Sequence, residues 1–258
     1  MPFRIATAPG LPDRPNEDFA AATATVAVLL DGVSAPTDLD DGCSHGVAWH
    51  TRRLGSLLLA GLDGGAAPRE ALSEAITTVS SLHEGTCDLG VQQTPSATVV
   101  AVRIGADHLE YLVLSDSVLL AEGDGGVRLV ADTTLDDLRP RVAPGTRVRD
   151  WRNVPGGFWT AGADPRAAEE AVVGTAPLGP FVAMTDGASR AVEVFGDLSW
   201  EGAFALVRHR GPEALVRRVR ELEAADPSRR RFPRGKVRDD ATALWWAPES
   251  LQITDTQK

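Results

Sequence analysis

Residues 25–32 read Thr25-Val26-Ala27-Val28-Leu29-Leu30-Asp31-Gly32. An unbroken apolar run of this kind, ended by turn residues, reads as a strand buried on both faces. Two further runs stop on an aspartate in the same way, Glu110 to Leu114 before Ser115-Asp116 and Phe181 to Met184 before Thr185-Asp186-Gly187. A fourth has the reverse polarity, with Asp239-Asp240 preceding Ala241 to Ala247. Strands are also expected at Ser96 to Ile104, Val118 to Glu122 and Val127 to Ala131, the last two joined by the hairpin turn Gly123-Asp124-Gly125-Gly126.

Helical signals fall between these strands. Ser44 to Leu62 is one segment, and Pro68 opens a second to His83 in which Leu72, Ile76 and Val79 share a face. Asp164-Pro165 reads as an N-cap followed by proline at the first helical position, with Gly174 as the stop. Gly211-Pro212 opens another helix, with Leu215, Val219 and Leu222 on one stripe. About eight strands and four helices, the helices arriving in pairs, imply an α+β class in which sheets pack on each other and helices cover the outside.

The chain has 258 residues, with 36 Asp+Glu against 26 Lys+Arg, a formal charge of −10. That balance disfavours nucleic acid and anionic membranes as partners. The two cysteines, Cys43 and Cys87, lie in no CxxC, and there is no HExxH or His-rich tract. They therefore read as small apolar residues rather than zinc ligands, and a metal would be held by carboxylates, which favour Mg²⁺ or Mn²⁺. No apolar run approaches the roughly 18–20 residues of a bilayer span, and the first residues lack a signal-peptide layout. The expectation is a soluble, cytoplasmic single domain over 1–258, with a core of about 13–247 and a short tail 248–258.

Any one strand-end aspartate is readily a turn residue. Four of them, Asp31, Asp116, Asp186 and Asp239, would repel one another if packed sheets brought the ends together, and divalent cations are the usual resolution. Ahead of the first run stands Asp13-Arg14-Pro15-Asn16-Glu17-Asp18, an arginine close to two adjacent acids. The order Arg14…Glu17-Asp18, LLDG, Ser96-Ala97-Thr98, SDS, MTDG and DDAT resembles the metal-dependent PP2C-type (PPM) serine/threonine phosphatases over about residues 13–247.

The resemblance implies a four-layer α/β/β/α sandwich, two antiparallel sheets flanked by helix pairs, with two Mn²⁺ or Mg²⁺ ions at one end. By similarity Asp31 bridges both ions, the Gly32 carbonyl binds one, and Asp186 and Asp239 complete the set. Glu17 and Asp18 act through waters, Arg14 clamps the phosphate, and Asp116 serves a third, weaker metal. Two such ions turn a shared water into hydroxide at neutral pH and neutralise the phosphoryl oxygens it attacks.

The chain departs from the pattern in places. Val33 stands where many relatives carry a proton-donating histidine, Arg190 where some carry a third-metal acid, and Asp240 where an asparagine follows the last aspartate. His45 and His50 are weak candidates for the missing acid. The basic stretch around Arg147 and Arg149 falls where relatives carry a flap, and is expected to steer an anionic substrate. The implied activity is hydrolysis of phosphoserine or phosphothreonine in proteins. The alternatives are the same chemistry on a small phosphorylated metabolite, or a non-catalytic binding module of the same fold.

Overall fold

The computed structural model describes residues 3–34, 39–143 and 145–248, so the tail expected from residue 249 on lies outside them. In chain order the elements are β1 (Arg4–Ala8), β2 (Phe19–Ala22), β3 (Val26–Val33), α1 (Val47–Asp63), α2 (Pro68–Ser81), β4 (Ser96–Ile104), β5 (His108–Leu114), β6 (Val118–Gly123) and β7 (Gly126–Val130). There follow α3 (Thr134–Leu138), α4 (Ala167–Glu170), β8 (Val172–Pro177), β9 (Phe181–Met184), α5 (Asp186–Glu193), α6 (Trp200–Arg210), α7 (Pro212–Ala225) and β10 (Ala241–Trp246).

The strands form two five-stranded antiparallel sheets, ordered β1-β10-β9-β6-β7 and β2-β3-β4-β5-β8. The unbroken apolar runs have a direct explanation. Along β3, Ala27 and Leu29 pack into the layer between the sheets, while Val26, Val28 and Leu30 face α1 and α2. Along β10, Leu244 and Trp246 point inward and Ala243 and Trp245 pack beneath α5–α7. Strands covered on both sides alternate in direction but not in polarity. The result is the α/β/β/α sandwich that the motif order implies.

Three expectations are corrected. Asp31 does not end its strand, because β3 continues to Val33, with Asp31 opposite Thr98 on β4. The helix expected from Asp164 to Gly174 is a single turn, Ala167–Glu170, after which the chain extends into β8. Gly174 pairs with Tyr111 there, and a Cβ at 174 would come within 2.5 Å of the Tyr111 hydroxyl, so this glycine serves a close approach rather than a helix stop. The run Phe181–Met184 turns directly into α5, so Asp186 opens a helix that the sequence reading did not anticipate. Strands β1 and β2 and helix α6 are likewise additional.

Gly187, in the first turn of α5, lies against the chain entering β10. A Cβ there would stand 1.8 Å from the Asp240 carbonyl oxygen, and backbone cannot rotate away as a side chain can. Gly187→Ala is expected to cost about 3 kcal/mol, at the upper end of overpacking penalties. The check is the urea midpoint at unchanged m-value.

Candidate metal-centred hydrolase site

Asp31 from β3, Asp116 from the β5–β6 turn, Asp186 from the start of α5 and Asp239 from the approach to β10 line one cleft of about 310 Å³ at the end of the sandwich. Gly32, Val33, Thr98, Arg190 and Lys236 complete its wall. A wider hollow of about 570 Å³ shares Asp116, Asp186 and Arg190 and adds Asp136, Arg139, Glu193 and Arg234. The turn that carries Asp116 is held by Ser115, which takes a left-handed φ of 65° and donates its N–H to Asp132 at 2.8 Å.

Asp18, just before β2, is buried behind these groups. Its Oδ2 accepts from the Thr185 hydroxyl at 3.1 Å, whereas its Oδ1 is buried with no hydrogen-bond partner. Burial, reinforced by Asp240 and Asp186, pushes the Asp18 carboxyl up to about 7. Burial and then Asp186, Asp18 and Asp116 hold Asp31 well above the usual carboxylate range. Asp116 rises to about 7 through burial and Asp186. Asp239 is raised by burial and Asp186, against the opposing pull of Lys236 and Arg190. Repulsion within this set and the unpartnered oxygen of Asp18 are what hard divalent cations would relieve, and all-oxygen donors suit Mg²⁺ or Mn²⁺.

The adjacent acids Asp239 and Asp240 have different work. Asp240 is committed to backbone, accepting from Gly10 N–H and Glu17 N–H, each at 2.7 Å. That clamp fixes the segment carrying Glu17 and Asp18, and Glu17 itself accepts from the Ser34 hydroxyl. Asp239 faces the cleft, paired with Arg190 and Lys236 at 2.7 Å each.

Behind Arg190 lies Glu223, fully buried on α7, which accepts from Arg190 at 2.7 Å and from Arg220 at 2.6 Å. Arg220 also donates to the Asp239 carbonyl at 2.7 Å. Breaking such a buried pair leaves an uncompensated charge, so Glu223→Ala is expected to cost about 3–5 kcal/mol, read by urea unfolding, with Glu223→Gln milder.

The basic residues sort differently from the expectation. Arg139, Arg190, Arg234 and Lys236 line the cleft and its extension. Arg147 is exposed and Arg149 half-buried, and neither is part of that wall. Arg152, at 2% exposure, is a structural arginine that donates to the Gln92 carbonyl at 3.0 Å and Ser96 Oγ at 3.3 Å. Arg14 is exposed, on the segment preceding Glu17 and outside both walls. His50 is buried against the Ala161 carbonyl at 2.9 Å, and His45, just before α1, stacks on Trp49; neither lines the cleft, so neither replaces the acid missing at Val33.

No protein-family model matches the chain, and no curated protein matches it by sequence. Solved structures do match. The serine/threonine phosphatase PstP/Ppp of Mycobacterium tuberculosis superposes with a TM-score of 0.61 at 16% identity, covering 95% of this chain and 97% of that one. The catalytic domain of PstP in complex with two manganese ions gives 0.62 at 16%, covering 95% and 96%. Stp1 of Staphylococcus aureus gives 0.63 at 14%, covering 96% and 94%. The chain has the bacterial serine/threonine phosphatase fold.

Within that phosphatase fold the acidic cleft lies where both sheets end, and its carboxylates come from both. The sequence reading missed the Arg190–Glu223–Arg220 network, whose members are far apart along the chain and carry no local signature. It also treated Cys43 and Cys87 as unrelated apolar positions. Instead Cys43, His45, His83 and Cys87 come together, their donor atoms all within 4.8 Å of one another. A signal was available: Cys-x-His and His-x3-Cys flank the two segments expected to form a helical pair.

Proposed function

We propose that the chain is a metal-dependent phosphomonoesterase acting on phosphoserine or phosphothreonine in proteins. The observation that carries the reading is the convergence of Asp18, Asp31, Asp116, Asp186 and Asp239 at one end of the sandwich, in a fold whose solved neighbours are serine/threonine phosphatases. Asp31, Asp186, Asp239 and the Gly32 carbonyl would hold two Mn²⁺ or Mg²⁺ ions, with Glu17 and Asp18 supporting them through waters and Asp116 at a weaker third position. Such ions supply an acidified water and neutralise phosphoryl oxygen charge.

The protein's own part is positional. Asp240 ties the Glu17 segment to the cleft by backbone hydrogen bonds. The Glu223-anchored Arg190 keeps Asp239 aimed inward. Arg14, exposed on the segment that precedes Glu17, is assigned the bidentate grip on the phosphate. The steering role expected of Arg147 and Arg149 passes to Arg139, whose exposed side chain lines the wider hollow. Among the described residues no imidazole lines the cleft, and Val33 occupies the position next to Gly32, which favours water as the proton source for the leaving group.

The test is hydrolysis of p-nitrophenyl phosphate and of a phosphothreonine peptide with Mn²⁺, with Mg²⁺ and with chelator. Turnover that needs metal and includes the peptide is expected. Metal-independent turnover would overturn the mechanism, and none on any phosphomonoester would favour the binding-module reading, for which the pairing of Asp239 with two cations is the supporting feature.

A further inference from the structure

The four residues Cys43, His45, His83 and Cys87 play no part in the acidic cleft. Cys43 and His45 precede α1, and His83 and Cys87 follow α2. Helix α1 has 17 residues and α2 has 14, joined by a short turn, so the second retraces most of the rise of the first and returns the chain to its starting level. The two loops are tied there by the Asp88 N–H donating to the Gly42 carbonyl at 2.8 Å. Glycines with left-handed φ shape both loops, Gly42 at 67° and Gly46 at 78° in the first and Gly85 at 73° in the second.

The donor atoms stand 3.6 Å apart for the two sulfurs, 3.6 Å for Cys43 Sγ to His83 Nδ1, 3.3 Å for Cys87 Sγ to His45 Nδ1 and 3.9 Å for Cys43 Sγ to His45 Nδ1. A tetrahedron with zinc–sulfur bonds of about 2.3 Å and zinc–nitrogen bonds of about 2.05 Å has edges of about 3.8 Å between sulfurs and about 3.5 Å between sulfur and nitrogen. The four observed spacings lie within about 0.4 Å of those edges, and the whole set closes to within 4.8 Å.

The surroundings are built to match. Cys43 Sγ accepts from the His45 N–H at 3.4 Å, and Cys87 Sγ from the Ser44 N–H at 3.4 Å, with the Ser44 hydroxyl 3.6 Å from the same sulfur. Such donors favour thiolate over thiol. The rings are held as well: His45 stacks on Trp49 at 4.3 Å, and His83, 2% exposed, meets Trp49 edge-on at 4.9 Å. Both cysteines are unbridged.

We infer that Cys43, His45, His83 and Cys87 form a structural zinc site that pins the start of α1 to the end of α2. Two thiolates and two imidazoles are a soft donor set that selects zinc over the hard ions suited to the carboxylate cleft, so ligand chemistry sorts two kinds of metal within one chain. The pinned end matters to the cleft because Val47, the first residue of α1, packs against Gly32: a Cβ on Gly32 would lie 2.4 Å from Val47 Cγ1.

The test uses the full-length protein, purified without chelator and dialysed against Mn²⁺. About one zinc per chain is expected to survive dialysis. Replacement by Co²⁺ should give the intense d–d bands and thiolate charge transfer of a tetrahedral S₂N₂ centre. Cys43→Ser and Cys87→Ser should each weaken Co²⁺ binding by at least about 100-fold, beyond what loss of a supporting partner costs, whereas Asp31→Ala should keep the spectrum. Far less than one zinc per chain together with only weak, octahedral Co²⁺ bands, a tetrahedral spectrum that survives in the cysteine variants, or a Cys43–Cys87 disulfide in protein purified under reducing conditions would overturn the site. If the cysteine variants do not fold, the wild-type zinc content and cobalt spectrum decide.

Discussion

Replacing Asp31 or Asp186 with alanine is expected to lower kcat/KM for p-nitrophenyl phosphate in Mn²⁺ by on the order of 10³-fold or more, equivalent to about 4 kcal/mol of transition-state stabilisation. The two residues occupy the centre of the acidic cleft. Asp186 presses on the carboxyls of Asp18, Asp31, Asp116 and Asp239, and Asp31 feels Asp186 together with Asp18 and Asp116. The effect should fall on kcat more than on KM, as follows from the proposed role of these groups in organising the attack rather than gripping the substrate. Asp240→Asn serves as the contrast. Its carboxylate is spent on the Gly10 and Glu17 amides, and an amide oxygen can still accept, so a loss of about tenfold or less is expected. Equal losses in Asp186→Ala and Asp240→Asn would contradict the division of labour between Asp239 and Asp240 described above.

The second large effect is on stability in the absence of metal. The native Asp18 carboxyl titrates at about 7 against 3.8 for the free side chain, so between roughly pH 4 and pH 7 the folded chain keeps a proton that the unfolded chain releases. Stability from this group is therefore fully present below about pH 4 and is lost as pH rises to 7, by up to about 4 kcal/mol. In chelator, Asp18→Asn should be more stable than wild type at pH 8 and equal to it at pH 4.

Burial lowers His50 to about 4, which gives a slope of opposite sign between pH 4 and 6.5. Both proteins carry His50, so the comparison cancels it. Saturating Mn²⁺ should flatten the wild-type profile by stabilising the ionised carboxylates. Urea unfolding from pH 4 to 8, with and without Mn²⁺, is the measurement, and a difference between the two proteins that does not grow with pH would refute the assignment.

The inner strands were legible because their burial is two-sided. Val26 to Leu30, Phe181 to Met184 and Ala241 to Trp246 carry no polar residue that a surface face would demand, apart from Thr242, whose hydroxyl bonds Thr7 at 2.7 Å. The edges were not legible. Strand β1 shows only Ala6 buried, β2 is three alanines after Phe19, and β8 contains Gly174. Each is recruited by a neighbouring strand rather than by its own pattern.

Helix α5 was hidden for a related reason: its small residues Gly187, Ala188 and Ala191 pack closely and leave too little apolar bulk for a helical stripe to show. The carboxylates could be found because each stands beside a strand. Arg190 and Glu223 could not, since their pairing depends on how α5 lies on α7. Cys43 and Cys87 were misread because local spacing was counted, and their proximity is a property of the helical hairpin between them.

Strand β10 lies between β1 and β9, so an interior position of one sheet is filled by the last strand described in the chain. During synthesis β1 has no partner until residues 241–246 arrive, more than 230 residues later. The other sheet, β2-β3-β4-β5-β8, is complete by residue 177 and can form earlier. The cleft needs Asp31 from the earlier sheet and Asp239 from the approach to β10, so a chain made only as far as residue 177 holds Asp18, Asp31 and Asp116 without Asp186 and Asp239. The acidic set closes in a single late step, when β10 inserts between β1 and β9.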